Sequence, residues 1–263
     1  MKYCRYAGTD GSQFGRVEER DGELWMTGRM ASPRSSAIEI DDNFEPVRLS
    51  ELSLLVPIAP SKIICVGRNY RDHAKELGNE VPAEPLLFFK PPSSLLEPGG
   101  AIQMPRVSER VDFEGELAVI IGKQARKLKW DEDLSTYIHG YTLANDVTAR
   151  DLQKKDGQWT RAKGFDTFCP VGPIVDTELG LDGGLTIETR VNGEVRQHGS
   201  TADFIFTLPV LLEYITAAIT LEPGDLLLTG TPAGVGPLAA GDLVEVSIAG
   251  LGRLANPVQA EED

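Results

Sequence analysis

The sequence predicts an α+β fold that is mainly β: a mixed β roll preceded by a small β unit, with the boundary placed between residues 1–58 and 59–263. Three observations lead there. Apolar segments of strand length outnumber segments with helical spacing. An Asp21-Gly22 turn separates two alternating runs near the start, and Pro57 and Pro60 break the chain before the strand-rich remainder.

Phe14 onward alternates polar and apolar residues up to Asp21-Gly22, and Glu23-Leu-Trp-Met26 continues beyond it, which is the pattern of a β-hairpin. Ala37 to Ile40 reads as a further strand. After Ser61, strands are expected at Lys62–Gly67, Leu86–Lys90, Glu114–Gly122, Gly140–Ala144, Gly172–Asp176, Leu185–Val191, Asp225–Thr229 and Leu243–Ile248. Helices are expected at Tyr70–Leu77, at Thr148–Lys154 and at Thr207–Ala218, where Leu208, Leu211, Leu212 and Ile215 fall on one face.

The 263 residues are 41% hydrophobic and 25% charged, enough to bury one sizeable core. A net charge of -14 repels phosphate backbones and anionic lipid, so neither nucleic acid nor a membrane surface is an expected partner. An acidic substrate would need a local reversal of that field by a metal ion or by lysine and arginine. Cys4, Cys65 and Cys169 form no CxxC pair and read as buried thiols in a reducing compartment. The N-terminal residues carry no apolar signal region and no run is long enough to span a bilayer, so a cytoplasmic protein is expected.

Several clusters could carry chemistry. In Asp112-Phe-Glu114-Gly-Glu116 the two glutamates share a strand face at the lip of an apolar run, and Gly115 suggests close approach to the backbone. Taken alone, the pair also suits a solvated edge. Asp146 ends a strand, with Arg150 and Gln153 a helical turn apart beyond it and Thr148 with Asp151 resembling a capping box. Its plainer reading is a turn residue. Together the three carboxylates form a hard-oxygen set suited to Mg²⁺, Mn²⁺ or Ca²⁺; three scattered histidines and no cysteine cluster disfavour zinc.

His73 and Glu76 stand at i and i+3 of the first helix, where a carboxylate could orient the imidazole as a general base, though such pairs also occur on solvated helices. Arg161 to Thr167 reads as a polar loop containing Lys163. The glycine-rich stretch from Leu228 to Pro237 suits a loop closing on a small anion, or simply a tight connection, and it lacks the Gly-Lys-Ser/Thr of a nucleotide loop.

The order of motifs GRNYRDHAKE, FFKPPSSL, DFEGELAVIIG, NDVTARDLQ, KGFDTFCPVGP and LLTGTPAGVG resembles the fumarylacetoacetate hydrolase family in its short branch, from about Lys62 to the C-terminus. The resemblance implies a mixed β-sandwich roll, usually a homodimer, with Mg²⁺ or Mn²⁺ held by Glu114, Glu116 and Asp146. It also implies a catalytic His73–Glu76 dyad on a lid, a catalytic Lys163, and substrate contacts from Arg68, Arg150, Gln153 and Thr231. The long N-terminal domain of the animal hydrolase is missing, which leaves substrate identity open.

The expected activity is metal-dependent hydrolysis of a carbon-carbon bond in an acylpyruvate-like 2-oxo acid through an enolate. Decarboxylation of oxaloacetate, or isomerisation of a hydroxy-dienedioate such as 2-hydroxyhepta-2,4-diene-1,7-dioate, would use the same enolate. A non-enzymatic alternative is an acidic Ca²⁺-binding structural protein, but the EF-hand spacing is absent. A dinucleotide-dependent oxidoreductase is disfavoured because the glycine loop opens no βαβ unit.

Overall fold

The structure, a computed structural model, describes residues 1–9, 11–33, 39–41, 43–129 and 131–261. Strands β1 (Lys2–Gly8), β2 (Gly11–Arg20) and β3 (Glu23–Met30) form an antiparallel meander. The β2–β3 hairpin turns on Asp21 and Gly22, both at positive φ, 51° and 79°, as a two-residue turn matched to strand twist requires. Of the strand expected at Ala37–Ile40, residues 37 and 38 lie outside the described residues; Ile40–Asp41 pairs with β3.

The next elements are β4 (Ile63–Gly67), α1 (Arg71–Glu76), β5 (Leu86–Lys90), β6 (Val111–Phe113), β7 (Gly115–Ile121) and β8 (Ile138–Asn145). They are followed by α2 (Arg150–Asp156), α3 (Thr160–Gly164), β9 (Cys169–Asp176), β10 (Thr186–Val191) and β11 (Glu194–Ser200). The chain closes with α4 (Leu208–Ala218), β12 (Leu226–Leu228), β13 (Leu243–Ile248) and β14 (Gly252–Ala260). The large mixed sheet runs β3-β2-β1-β9-β8-β7-β12-β4-β5, so the N-terminal strands join the rest through Lys2↔Asp176 and Tyr3↔Val175. A second sheet, Ile102–Met104 then β14-β13-β10-β11, packs beside it, and Val111–Phe113 pairs with Thr148–Ala149 and Gly236–Pro237 in a third.

Burial explains why β7 reads as an unbroken apolar run. Ala118 and Ile120 face a cluster with Ile63, Cys65, Leu226 and Leu228, while Val119 and Ile121 face Leu208, Leu211, Leu212 and Ile215 of α4. Leu117 packs against Ile187 and Val246 of the second sheet. A strand covered on both faces has no polar side to alternate with. The stripe expected on α4 is therefore its buried face. The three cysteines are buried and free, as expected.

Three local expectations need correction. Thr148 does not cap a helix: it is in a two-residue strand, its hydroxyl donates to Asp146 O at 2.9 Å, and α2 starts at Arg150 with no side-chain cap. Asp151 instead accepts from the Ser108 hydroxyl at 2.6 Å and from Glu109 N. Residues 160–164 are not a loop but the turn of helix α3, whose Ala162 and Lys163 are buried against the sheet; tertiary burial overrides the polar local pattern. Finally, the plainer reading of Glu114 and Glu116 as a solvated edge fails: they are only 5% and 2% accessible.

Candidate active site

The register of β7 on β8 assembles the acidic cluster. Gly115 pairs with Asn145 and Glu116 with Ala144, so Asp146, just past the end of β8, comes alongside both glutamates. Glu114 interrupts the chain between β6 and β7; its N–H donates to Asn145 Oδ1 at 2.9 Å and its carbonyl accepts from Asp146 N at 2.8 Å. These bonds aim the side chains of Glu114, Glu116 and Asp146 at one point, with ligand oxygens within 4.8 Å of one another. Gly115 is needed by its neighbours: a Cβ there would lie 2.2 Å from Thr189 Oγ1 and 3.1 Å from Val246. The close approach expected at Gly115 is that of the second sheet.

Buried cations surround the carboxylates. Lys163 Nζ donates to Glu114 Oε2 at 2.8 Å and to Asp146 Oδ2 at 2.5 Å, and Lys90 Nζ donates to Asp146 Oδ1 at 2.7 Å. Arg150 reaches Glu114 Oε1 at 2.5 Å, Asp112 Oδ2 at 2.9 Å and Gln153 Oε1 at 2.8 Å. Burial alone would raise the Glu114 carboxyl, but Lys163 and Arg150 outweigh it and hold it well below the usual range. Among the described residues no cation pairs with the Glu116 carboxylate, which accepts from Gly230 N at 2.7 Å. Burial, with the neighbouring Asp146 and Glu114 charges, pushes its carboxyl far above its ordinary value.

That imbalance is what a hard divalent ion at the focus would relieve, and the donor set is all oxygen. Glu114, Glu116 and Asp146 thus fit such an ion chemically. Among the described residues, no other group of three or more His, Cys, Asp or Glu could hold a metal ion.

The cleft over this cluster, about 410 Å³ and open to solvent, collects nine of the ten expected site residues: Arg68, His73, Glu114, Glu116, Asp146, Arg150, Gln153, Lys163 and Thr231. Glu76, the tenth, lines an adjoining cleft. The expected dyad is loose: His73 Nδ1 lies 3.5 Å from Glu76 Oε2 and has no hydrogen bond, while Glu76 accepts from Gly234 N at 3.1 and 3.2 Å. The anions gripped by the glycine-rich loop are therefore the protein's own, Glu116 at Gly230 and Glu76 at Gly234. Burial is the main influence on His73; with Arg150 it outweighs Glu114 and Glu76 and holds the imidazole below its ordinary value, so it is neutral at pH 7.

The sequence reading missed Lys90, a buried cation, and the aromatic wall of Phe88 and Trp159. A lysine closing the apolar run Leu86-Leu-Phe-Phe was the available signal, since such a residue is buried only when paired. Gln197 was also missed: its amide nitrogen donates to Thr231 Oγ1 at 2.7 Å and its oxygen accepts from Gly115 N at 2.9 Å, tying the glycine-rich loop to β7. Only the fold reveals that tie.

A family model described as fumarylacetoacetate (FAA) hydrolase C-terminal matches residues 62–259. The chain is 43% identical over 263 residues to protein Rv2993c of Mycobacterium tuberculosis, covering 98% of each. It is 44% identical over 224 residues to oxaloacetate tautomerase YisK of Bacillus subtilis, covering 80% of this chain and 74% of that protein. The crystal structure of 2-hydroxyhepta-2,4-diene-1,7-dioate isomerase from Mycobacterium marinum superposes over 100% of both chains with a TM-score of 0.88 at 41% identity.

Proposed function

The chain belongs to the fumarylacetoacetate hydrolase family, and on that premise we propose that it moves a proton at the carbon beside the keto group of a small 2-oxo acid. The observation that carries the proposal is the convergence of three buried carboxylates and two buried lysines beneath a neutral, buried histidine. Glu114, Glu116 and Asp146 would hold Mg²⁺ or Mn²⁺, which when bound supplies Lewis-acid polarisation of the keto group.

His73 is the base. It is unprotonated at neutral pH and lines the cleft, where its imidazole can take a proton from carbon and return it. Lys163 and Arg150 place positive charge beside the cleft floor, which lowers the energy of the enolate that forms as the proton leaves. Leu77, Phe88 and Trp159 give the cleft an apolar part of its lining.

Proton relay is favoured over hydrolysis because Glu76 is engaged by Gly234 rather than by His73, and an undirected imidazole is a poorer activator of water. The names of the tautomerase and isomerase relatives support the same reading. Hydrolysis of an acylpyruvate remains the second reading, because the 3.5 Å between His73 and Glu76 closes with a small side-chain shift. The test is to follow oxaloacetate and an acylpyruvate in D₂O with Mg²⁺ or Mn²⁺, reading deuterium uptake at the α-carbon, enol-to-keto conversion, CO₂ release and chain cleavage. Catalysed deuterium uptake without cleavage or CO₂ release supports proton relay; cleavage at a comparable rate contradicts it.

A further inference from the structure

The three carboxylates that would hold the ion do not present both of their oxygens alike. Asp146 Oδ1 accepts from Lys90 Nζ at 2.7 Å, Glu114 Oε1 from Arg150 Nη2 at 2.5 Å, and Glu116 Oε2 from the Gly230 N–H at 2.7 Å. The second oxygens of Asp146 and Glu114, Oδ2 and Oε2, share another donor, the ammonium of Lys163, which lines the cleft. Each acid therefore has one oxygen tied by a donor of its own, and on two of them the other oxygen meets a single cation at the cleft.

The ties come from separate parts of the chain, and each is braced. Asn69 Nδ2 donates to Thr229 O at 2.8 Å, next to Gly230. Arg150 Nε donates to the fully buried Asp112 at 2.9 Å, and Arg110 holds both oxygens of Asp112 at 2.8 and 3.1 Å. Lys90 ends β5 opposite Ile63 of β4; its side chain is fully shut from solvent, and its other bond goes to Val147 O at 3.2 Å.

Lys90 is thus unlike Lys163. Lys163 sits on oxygens shared with the cleft, whereas Lys90 holds the other oxygen of Asp146, its one acid among the described residues. Turning Asp146 to offer both oxygens to an ion would break a charge-assisted bond where water cannot replace it. Two-oxygen ligation is one way Ca²⁺ fills its shell of about seven or eight oxygens, while Mg²⁺ and Mn²⁺ take about six and are served by one oxygen from each acid, with positions left for water and substrate.

We infer that Lys90 is a positioning residue that makes Asp146 a single-oxygen ligand, and that this tether sets the preference of the centre for a small six-coordinate ion over Ca²⁺. The inference rests on the metal centre of the proton-relay reading and adds the residue that tells one hard dication from another.

The test is calorimetric titration of Mn²⁺, Mg²⁺ and Ca²⁺ into wild type and Lys90→Met, with the fold of each checked by thermal denaturation. Wild type should bind Mn²⁺ and Mg²⁺ in preference to Ca²⁺. Lys90→Met keeps an unbranched apolar stem and removes the donor, so the preference for Mn²⁺ over Ca²⁺ should fall about 10- to 100-fold, the usual effect of losing a group that orients a metal ligand. A preference that is unchanged or greater, whatever happens to the separate affinities or to the thermal midpoint, makes Lys90 a buried counter-charge only and overturns the tether. Should Lys90→Met not fold, infrared difference spectra of wild type with Ca²⁺ decide: carboxylate bands of single-oxygen ligation uphold the tether, and bands of two-oxygen ligation overturn it. A wild type that binds none of the three ions fails at the metal centre itself, and the tether falls with it.

Discussion

The ammonium of Lys163 donates to the carboxylate of Asp146 at 2.5 Å, with both side chains at most 2% accessible. It also holds Glu114, so one cation neutralises part of the cluster from within. Replacing it with a neutral amide leaves the oxygen donors in place but strips the charge that faces the enolate.

Lys163→Gln is therefore expected to lower kcat about 10²- to 10³-fold, the size of loss seen when a preorganised charge-stabilising donor is removed. Metal affinity should hold or tighten, since the carboxylates lose a competing cation. Kinetics and metal calorimetry on the same preparation check both halves. Weaker metal binding would make Lys163 a structural support for the ligands instead.

His73→Ala is expected to keep the metal and lose most of the rate, roughly 10²- to 10⁴-fold for removal of a general base. Burial holds the folded imidazole below its ordinary value, so the active, unprotonated form persists down through neutrality. Accordingly kcat/KM should be flat near pH 7 and fall as pH drops below about 6.5, the ordinary imidazole value. An acid limb that survives in His73→Ala would belong to another group.

Gly115→Ala tests the packing beneath the site. The new methyl would lie 2.2 Å from Thr189 Oγ1 and 3.2 Å from a second Val246 methyl. Overpacking of this kind costs about 1–3 kcal/mol, read as a lower denaturation midpoint with an unchanged denaturant slope.

Asp225 ties the start of β4 to β12, accepting from Ser61 N at 3.1 Å, Ser61 Oγ at 2.7 Å and Glu222 N at 2.7 Å, and pairing with Lys62. Burial raises its carboxyl, but these partners outweigh burial and hold it below the ordinary value. A depressed carboxyl stabilises the fold above the unfolded pKa, near 3.9, and that stability is lost as pH falls further through the folded one. Asp225→Asn should cost about 1.5–3 kcal/mol at pH 7, the range for hydrogen bonds to a charged group. The gap between variant and wild type should shrink below about pH 4; a gap that is constant with pH would show that the charge contributes nothing.

Much of this architecture was legible because its signals are local. The Asp21-Gly22 hairpin, the stripe of α4 and the apolar run of β7 each follow from one period in the sequence. The carboxylates were legible as residues, but their burial was not: Glu114 is held by Lys163 of α3 and Arg150 of α2, and Asp146 by Lys90, elements distant in the chain. Thr148 misled because a capping-box spacing costs nothing to write in sequence, whereas pairing with β6 is a tertiary event. Arg110 gave no sign at all, since its fixed geometry depends on Asp112 being buried beneath it.

Calorimetric titration of Mn²⁺ into wild type and Glu116→Ala, with and without oxalate as a stand-in for the planar enolate, is the most direct measurement of the central claim. Wild type should bind one ion, more tightly with oxalate present, while Glu116→Ala keeps its fold and binds neither. A folded Glu116→Ala enzyme that takes up Mn²⁺ and oxalate as wild type does would contradict the metal centre and the chemistry built on it.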